Sequence, residues 1–471
     1  MNTSYYMSPH IKRLLLVAST VLIGAFVATI TIKNNASLTE TPIVRAATAG
    51  LTYQGQPREA TGNPRFGYNG FFVEGFLKNN NKNINANVEA IDQVLTDTKA
   101  TWLRFPGGTR ANDYVFNLAN HGFGRETAYD RGFKNNIIVE YADIAKAVHA
   151  KTAYVVDFAA HFPTYYGGTA FMPAPLRNKT DAEIIKMNLD GIEYLLNQGL
   201  DVPVIELGNE LNGADLSPWR NISVTNKSAA DVERIMKPEL DRYENLVGQY
   251  RVALNDLATR KSAELGKTIT FEIGVPIFLV NGPNGKMFNG PLGARNTYWN
   301  TRVARMPIDA MIVHTYSNFG GCNNFWNNTA FVNCLKQKSN EDVASLPNNI
   351  DRTKALSPNK KLWITEYNAG FGFSADPRMD RSGFVNSPEH IQYLREVTNI
   401  FKQKEVDLYL LHMLYTSQGT SYVIVNNIPS ASATRVTPES DIYAQPSICA
   451  FIPELSPAFQ KYKCANSSPT K

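Results

Sequence analysis

Short apolar runs alternate with longer amphipathic patterns along this chain from about residue 70 onwards. Such alternation is typical of βα units, in which helices connect parallel strands. Eight runs read as strands, at 71–75, 102–105, 153–158, 204–207, 270–275, 310–314, 362–365 and 408–413. Eight βα units predict an α/β fold, a (β/α)8 TIM barrel, and leave a doubly wound open sheet as the alternative.

Four helices are the clearest of those predicted between the strands, at 137–149, 181–198, 229–265 and 388–404. The second of them should begin at Thr180 as N-cap, with Glu183 in its first turn. We expect three regions: an N-terminal signal or anchor and stalk over 1–46, the barrel over 47–420, and a C-terminal extension over 421–471. That extension either completes the barrel or forms a small β-rich appendage.

The N-terminal region carries an uncharged apolar run at 14–32, preceded by Lys12 and Arg13. This pattern indicates a secretory signal or a signal anchor, with the positive end kept in the cytoplasm. We therefore expect an extracytoplasmic protein, either secreted or held at the membrane through this segment. Whether the segment is cleaved is left open, and an ordinary buried helix is the alternative.

Four cysteines lie late in the chain, at Cys322, Cys334, Cys449 and Cys464. In an exported protein the natural disulfides are 322–334 and 449–464, because each closes a short loop. Four cysteines allow three pairings, so the sequence does not fix the connectivity.

The net charge and the motifs of the sequence argue against several classes of protein. The net charge is +5 over 471 residues, and +3 of it lies within residues 1–46, so a nucleic-acid partner is not expected. The sequence contains no His-Glu-x-x-His, no Cys-x-x-Cys, no Walker loop and no Gly-x-Ser-x-Gly. The usual signals of zinc hydrolases, nucleotide-binding proteins and serine esterases are therefore missing.

Polar side chains end several of the predicted strands, and they include Arg104, Glu210, His314, Tyr316 and Glu366. The C-terminal ends of the strands form the functional face of such a barrel. Two carboxylates across one barrel mouth are the apparatus of glycoside hydrolysis.

Side-chain alternation gives a test of which residues face inward. The alternation groups His314 with Tyr316 on the sixth strand, and Leu362 and Ile364 with Glu366 on the seventh. If these faces point inward, the polar side chains converge on the mouth. Glu206, which shares parity with Glu210, is expected to be structural and to pair with a buried cation such as Arg104.

The motifs resemble those of the clan A glycoside hydrolases, the "4/7" superfamily, which carry Asn-Glu after strand 4 and Glu after strand 7. Asn209, Glu210 and Glu366 match these positions. The Arg-Phe-Pro-Gly-Gly run at 104–108 and Leu-Gly-Asn-Glu at 207–210 are most similar to α-L-arabinofuranosidases and heparanase-like β-glucuronidases. The resemblance implies that Glu210 is the acid/base and Glu366 the nucleophile of a retaining enzyme.

Further substrate-binding residues follow from the resemblance and from the loops. Asn209 is expected to bind a sugar hydroxyl, and Arg104 to lower the pKa of Glu366 with the help of Tyr316 or His314. Aromatic rings in the βα loops could stack on sugar faces, and Trp219, Trp326 and Tyr415 are the candidates, with simple packing as the alternative. Asp157 and His161 fit substrate binding and loop capping equally well.

The sequence therefore predicts a retaining glycosidase that acts on an extracellular polysaccharide or glycan and needs neither metal nor cofactor. An α-L-arabinofuranosidase is the alternative within the hydrolases. A catalytically silent carbohydrate-binding barrel and an anchored partner-binding protein are the alternatives outside that class. The sugar, its linkage, exo or endo action and the oligomeric state are left open.

Overall fold

The structure is a computed structural model. It describes residues 51–58, 65–69, 84–114, 137–166, 169, 172, 176–212, 224, 226–282, 287, 291–317, 322, 328–368, 388–412, 415–416, 425–427 and 442–444. Within the unit that spans Ala47–Lys471, the main element is one closed barrel of parallel strands.

Eight strands form the barrel in sequence order, and β1 pairs in parallel with β8 to close it. Closure confirms the TIM barrel and rules out the open sheet. The strands are β1 Arg65–Asn69, β2 Trp102–Phe105, β3 Lys151–Val156, β4 Val204–Leu207, β5 Glu272–Pro276, β6 Ala310–Tyr316, β7 Lys361–Asn368 and β8 Leu408–His412.

Helices follow the first seven strands, as the alternation of the sequence predicts. They are α1 Ile84–Asp97, α2 Ile137–Ala147, α3 Asp181–Asn197, α4 Ala229–Leu265, α5 Pro291–Val303, α6 Asn328–Lys354 and α7 Pro388–Gln403. The capping box at the start of α3 is confirmed, since the Thr180 hydroxyl accepts from the backbone of Glu183 and the Glu183 carboxylate accepts from the backbone of Thr180.

After β8, the described residues form a small sheet rather than an eighth helix. Its strands are β9 Tyr415–Thr416, β10 Val425–Asn427 and β11 Ile442–Ala444, in the order β11-β10-β9. This sheet agrees with the β-rich appendage expected after the barrel.

The first barrel strand is Arg65–Asn69 and not 71–75, the run to which the sequence analysis assigned it. The polar ends of β1 have specific partners that a local pattern does not show. Arg65 forms an ion pair with Glu272 at 2.8 Å, and its guanidinium lies 5.3 Å from the ring centre of Trp102. Asn69 reaches the barrel mouth. Residues 71–75 lie outside the described residues.

The barrel interior is filled by a small apolar cluster distinct from the larger core between strands and helices. Its members are Trp102, Ala153, Val204, Ala310, Ile312, Trp363, Leu408 and Leu410. Leu362 and Ile364 belong instead to the outer core. The predicted inward face of the seventh strand was therefore wrong for these two residues.

A β-bulge in β7 explains how Glu366 still reaches the mouth. Val313 pairs with Ile364, but the next residue of β6, His314, pairs with Glu366, so Thr365 is the extra residue. The pairing with β8 shifts over the same stretch. Bulges of this kind re-aim side chains. Both Thr365 and Glu366 consequently contact interior polar groups.

The sequence also predicted two disulfides and an N-terminal signal or anchor. Cys322 and Cys334 form a disulfide with their Cα atoms 5.6 Å apart, whereas Cys449 and Cys464 lie outside the described residues. The apolar run at 14–32 also lies outside them. Within the described part of the chain, no helix combines the length and apolar character needed to cross a membrane.

We predict that Gly274→Ala destabilises the barrel by about 1–3 kcal/mol, the usual cost of overpacking. An added Cβ would lie 2.5 Å from Trp363 Cζ3 and 2.8 Å from Ile312 Cδ1, inside the closed barrel. The measurement is the free energy of unfolding in urea.

Gly248→Ala is the matched control, because its Cβ would meet nothing within 4 Å. In the interior of α4 this change should stabilise by about 0.5–1 kcal/mol. Equal effects of the two substitutions would contradict the close packing around Trp363.

Candidate active site

The C-terminal ends of six strands bring a connected set of polar side chains to the barrel mouth. The set comprises Asn69 from β1, Arg104 from β2, Glu206, Asn209 and Glu210 at β4, His314 and Tyr316 from β6, Thr365 and Glu366 from β7, and His412 from β8.

Arg104 lies at the centre of this set and is completely buried. Its Nε and Nη2 donate to the two oxygens of Glu206 at 3.0 and 2.9 Å, which confirms the expected pairing. Its Nη1 donates to Glu366 Oε1 at 2.7 Å, and Nη2 also donates to Asn209 Oδ1 at 2.8 Å. Burial disfavours the charged form of Arg104, but Glu206 and Glu366 outweigh it and raise its pKa.

Glu366 is 4% exposed and accepts hydrogen bonds at both oxygens. Oε1 accepts from Arg104 and from Asn69 Nδ2 at 2.9 Å, and Oε2 accepts from the Tyr316 hydroxyl at 2.6 Å. Burial would raise the pKa of Glu366, but His314, His412 and Arg104 outweigh burial and hold the pKa well below its usual range. Glu366 is therefore a buried, oriented and ionised carboxylate.

Glu210 has a different environment, with 23% of its side chain exposed. It follows β4 after a tight turn in which Gly208 has φ 85° and Glu210 itself has φ 49°. A positive φ is unfavourable for a residue with a side chain, so the turn must be held from outside. Glu210 Oε1 lies 3.0 Å from His314 Nδ1.

Asn112 supplies that external support. Its side chain accepts from the backbone N–H of Asn209 at 2.9 Å and donates to the Asn209 carbonyl at 2.6 Å. Asn112 belongs to a 3-10 turn at Gly108–Asp113, which follows Gly107; Gly107 has φ 78° and Gly108 has φ 59°. The turn after the Gly-Gly pair thus places the Asn112 amide, which holds the backbone N–H and C=O of Asn209, the residue before Glu210.

The two carboxylates and one imidazole lie close enough together to share a ligand. Glu210, His314 and Glu366 each offer one atom, and these atoms lie within 4.8 Å of one another. Both ring nitrogens of His314 already have hydrogen-bond partners, and Arg104 already neutralises Glu366. The donor set therefore fits a shared proton better than a bound cation.

The remaining predicted residues divide into two groups. Trp219 and Trp326 lie outside the described residues, and Tyr415 lies in β9, where its side chain is not described. His161 is buried against Asp181 at 2.8 Å and Tyr250 at 3.0 Å, while Asp157 accepts from the backbone of Ala160. Of the two readings for Asp157 and His161, the contacts support loop capping.

Four residues of the site were missed by sequence reasoning: Asn69, Asn112, Thr365 and His412. His412 had a usable signal, because Leu408, Leu410 and His412 alternate on one face of β8 and the first two fill the interior. Its Nδ1 accepts from Asn69 Nδ2 at 2.7 Å. Thr365 alternates with Trp363, which fills the interior, but the inward face of the seventh strand was assigned from Glu366. Asn69 had no such signal, since β1 was misplaced.

Comparisons with known proteins find similarity in structure alone. No family model and no curated protein matches the sequence. A family 51 arabinofuranosidase from Xanthomonas axonopodis pv. citri aligns at 14% identity and TM-score 0.47, over 84% of this chain and 73% of its own. An endo-1,4-β-D-mannanase from Thermotoga petrophila aligns at 12% identity and TM-score 0.40, over 84% of this chain and 100% of its own.

A β-glucuronidase from Bacteroides uniformis aligns at 11% identity and TM-score 0.39, over 76% of this chain and 33% of its own. At these identities the likeness concerns the fold, and the activity has to be inferred from the side chains of this chain.

We predict that the ionised state of Glu366 makes folding stability fall at acid pH. A lowered pKa in the folded state gives stability that is present above the unfolded value of about 4.3 and is lost as pH falls below it. One such group contributes a slope of up to about 1.4 kcal/mol per pH unit. Urea unfolding between pH 3 and pH 6 should therefore show a shallower pH dependence in Glu366→Gln than in the wild type.

Glu233→Gln, which changes an exposed glutamate of α4, is the control and should keep the wild-type slope. Comparing slopes removes the constant cost of weakening the Arg104 pair. Identical slopes in the wild type and Glu366→Gln would contradict the ionised state of Glu366.

Proposed function

We propose that this protein is a retaining glycoside hydrolase in which Glu210 is the general acid/base and Glu366 the nucleophile. The observation that carries the proposal is the contrast between the two carboxylates at one barrel mouth. Glu366 is buried, ionised and held by three donors, whereas Glu210 is partly exposed and bonded to an imidazole.

Glu366 fits the nucleophile because its negative charge is fixed and oriented. In the first step its carboxylate attacks the anomeric carbon and forms a glycosyl ester, while the bond from that carbon to the leaving oxygen breaks. Glu210 gives its proton to the leaving oxygen. In the second step Glu210 takes a proton from water, the water oxygen bonds to the anomeric carbon, and Glu366 leaves as a carboxylate.

The spacing of the two carboxylates supports retention of configuration. One oxygen of each lies within 4.8 Å of the other. Retaining pairs are about 5–5.5 Å apart, whereas inverting pairs need about 6.5–9.5 Å to admit a water.

Asn209 is suited to bind a sugar hydroxyl beside Glu210. Its Oδ1 is used by Arg104, while its buried Nδ2 has no hydrogen-bond partner among the residues that the structure describes. A buried amide without an acceptor costs free energy, so a sugar hydroxyl that accepts from it would be bound favourably.

An extracellular polysaccharide or glycan is the substrate class we propose. The Cys322–Cys334 disulfide supports an oxidising compartment, as does the expected signal or anchor at the N-terminus. An α-L-arabinofuranoside is the alternative substrate within the same chemistry.

The test is sugar release from a broad panel of polysaccharides and aryl glycosides, with arabinofuranosides included. We expect turnover by the wild type, none measurable for Glu366→Gln, and a loss of about 10²–10⁴-fold for Glu210→Gln. Proton NMR of the first product formed should show the anomeric configuration of the substrate.

Glu233→Gln is the control and should keep full activity, since Glu233 is exposed on α4. An inverted first product would overturn the assigned mechanism. Glycan binding without turnover by the folded wild type would favour the catalytically silent carbohydrate-binding barrel instead.

A further inference from the structure

Thr365 faces the barrel interior on the same side of β7 as Trp363, and the bulge after it brings Glu366 to the same mouth. It is fully buried, and its hydroxyl lies between two polar partners. Thr365 Oγ1 is 3.1 Å from Glu206 Oε2 and 3.1 Å from His314 Nε2. A hydroxyl has a single proton, so the direction of these two bonds is decided by which partner can only accept.

Glu206 is that partner. Arg104 holds it by two parallel bonds, so it is an ionised carboxylate that only accepts hydrogen bonds. The Thr365 hydroxyl must therefore donate to Glu206. Its oxygen is then left to accept from His314, which requires a proton on Nε2 of the ring.

The other ring nitrogen, Nδ1, is aimed at Glu210 Oε1 at 3.0 Å. With Nε2 already protonated, a neutral ring can only accept at Nδ1. The bond to Glu210 then needs one further proton, carried either by the Glu210 carboxyl or by the His314 ring. The arrangement stores one proton on the pair.

We propose that Thr365 is a positioning residue that fixes the Nε2–H tautomer of His314, so that Glu210 and His314 Nδ1 share one transferable proton. This inference rests on the proposed function, because the shared proton is the one delivered to the leaving group. After delivery the pair is a carboxylate and a neutral ring, and the proton taken from water in the second step restores it.

The charges around His314 favour keeping this proton. Burial alone would lower the pKa of His314, but Glu366 and Glu210 outweigh burial and raise it. The other charged or titratable groups of the site are Arg104 on β2, Glu206 on β4, Tyr316 on β6 and His412 on β8. Arg104 opposes the rise but is itself paired with Glu206 and Glu366.

The direct test is the tautomer of His314 in the full chain, read from ring ¹⁵N chemical shifts of ¹⁵N-histidine-labelled protein. The chain has seven histidines, so His314→Gln assigns the signals by their loss. We expect Nε2–H in the wild type and in Thr365→Ser, which keeps the hydroxyl. Thr365→Val keeps the shape and removes the acceptor, and it should shift the ring towards Nδ1–H.

The same variants give a kinetic readout. A neutral ring that donates from Nδ1 to Glu210 no longer needs the further proton, so the acid form should be lost at lower pH. We expect the basic limb of the kcat/KM profile of Thr365→Val to move down by about one pH unit, with Thr365→Ser restoring the wild-type profile.

The outcomes separate the two proposals. An Nδ1–H ring in the wild type would overturn the positioning role without any variant, even if Thr365→Val failed to fold. An unchanged tautomer in folded Thr365→Val would also overturn it. A tautomer shift in a protein that hydrolyses no glycoside would support the positioning of His314 and count against the proposed hydrolase.

Discussion

The rest of the mouth depends on the buried guanidinium of Arg104. It binds Glu206 with two parallel bonds and Glu366 with a third, so it fixes the ends of β2, β4 and β7 relative to one another. Removing one partner from such a network leaves an uncompensated buried charge, at a cost of about 3–5 kcal/mol. Apolar residues of similar size would often be as stable, so a buried charge network at this position is better explained by function than by stability.

The bulge in β7 is the second constraint, because regular alternation would place only one of two neighbouring residues inside the barrel. With the bulge, Glu366 binds Arg104 and Tyr316 while Thr365 reaches Glu206 and His314. The bulge therefore places Glu366 beside Thr365, whose partner His314 contacts Glu210. In a regular strand Thr365 would share the inward face of Trp363, and Glu366 would share the outward face of Ile364.

The periodicity of apolar residues was the sequence feature that predicted the fold best. Seven of the eight strands and the four predicted helices lie close to their expected positions, because each buries an apolar face that repeats locally. The Arg104–Glu206 pair could also be predicted from the sequence, since a buried guanidinium requires a carboxylate. The position of β1 could not be predicted, because its polar residues have partners that are distant in the chain. Arg65 donates to the Asp407 carbonyl, and Asn69 donates to His412. The inward-facing residues of β7 were predicted wrongly because regular alternation does not reveal a bulge.

The contrast between the carboxylates gives the site a simple charge balance. His314 Nδ1 lies 3.0 Å from Glu210 and 3.5 Å from Glu366, so it is close to both carboxylates. In the proposed mechanism, the negative charge is on Glu366 before the first step and the proton is on the Glu210–His314 pair. After the proposed first step, Glu366 would be an ester and the charge would be on Glu210. The net charge does not change, and it moves only between groups within 4.8 Å of each other. Because charge is costly to create in a buried site but less so to shift between preorganised partners, this arrangement favours the transfer.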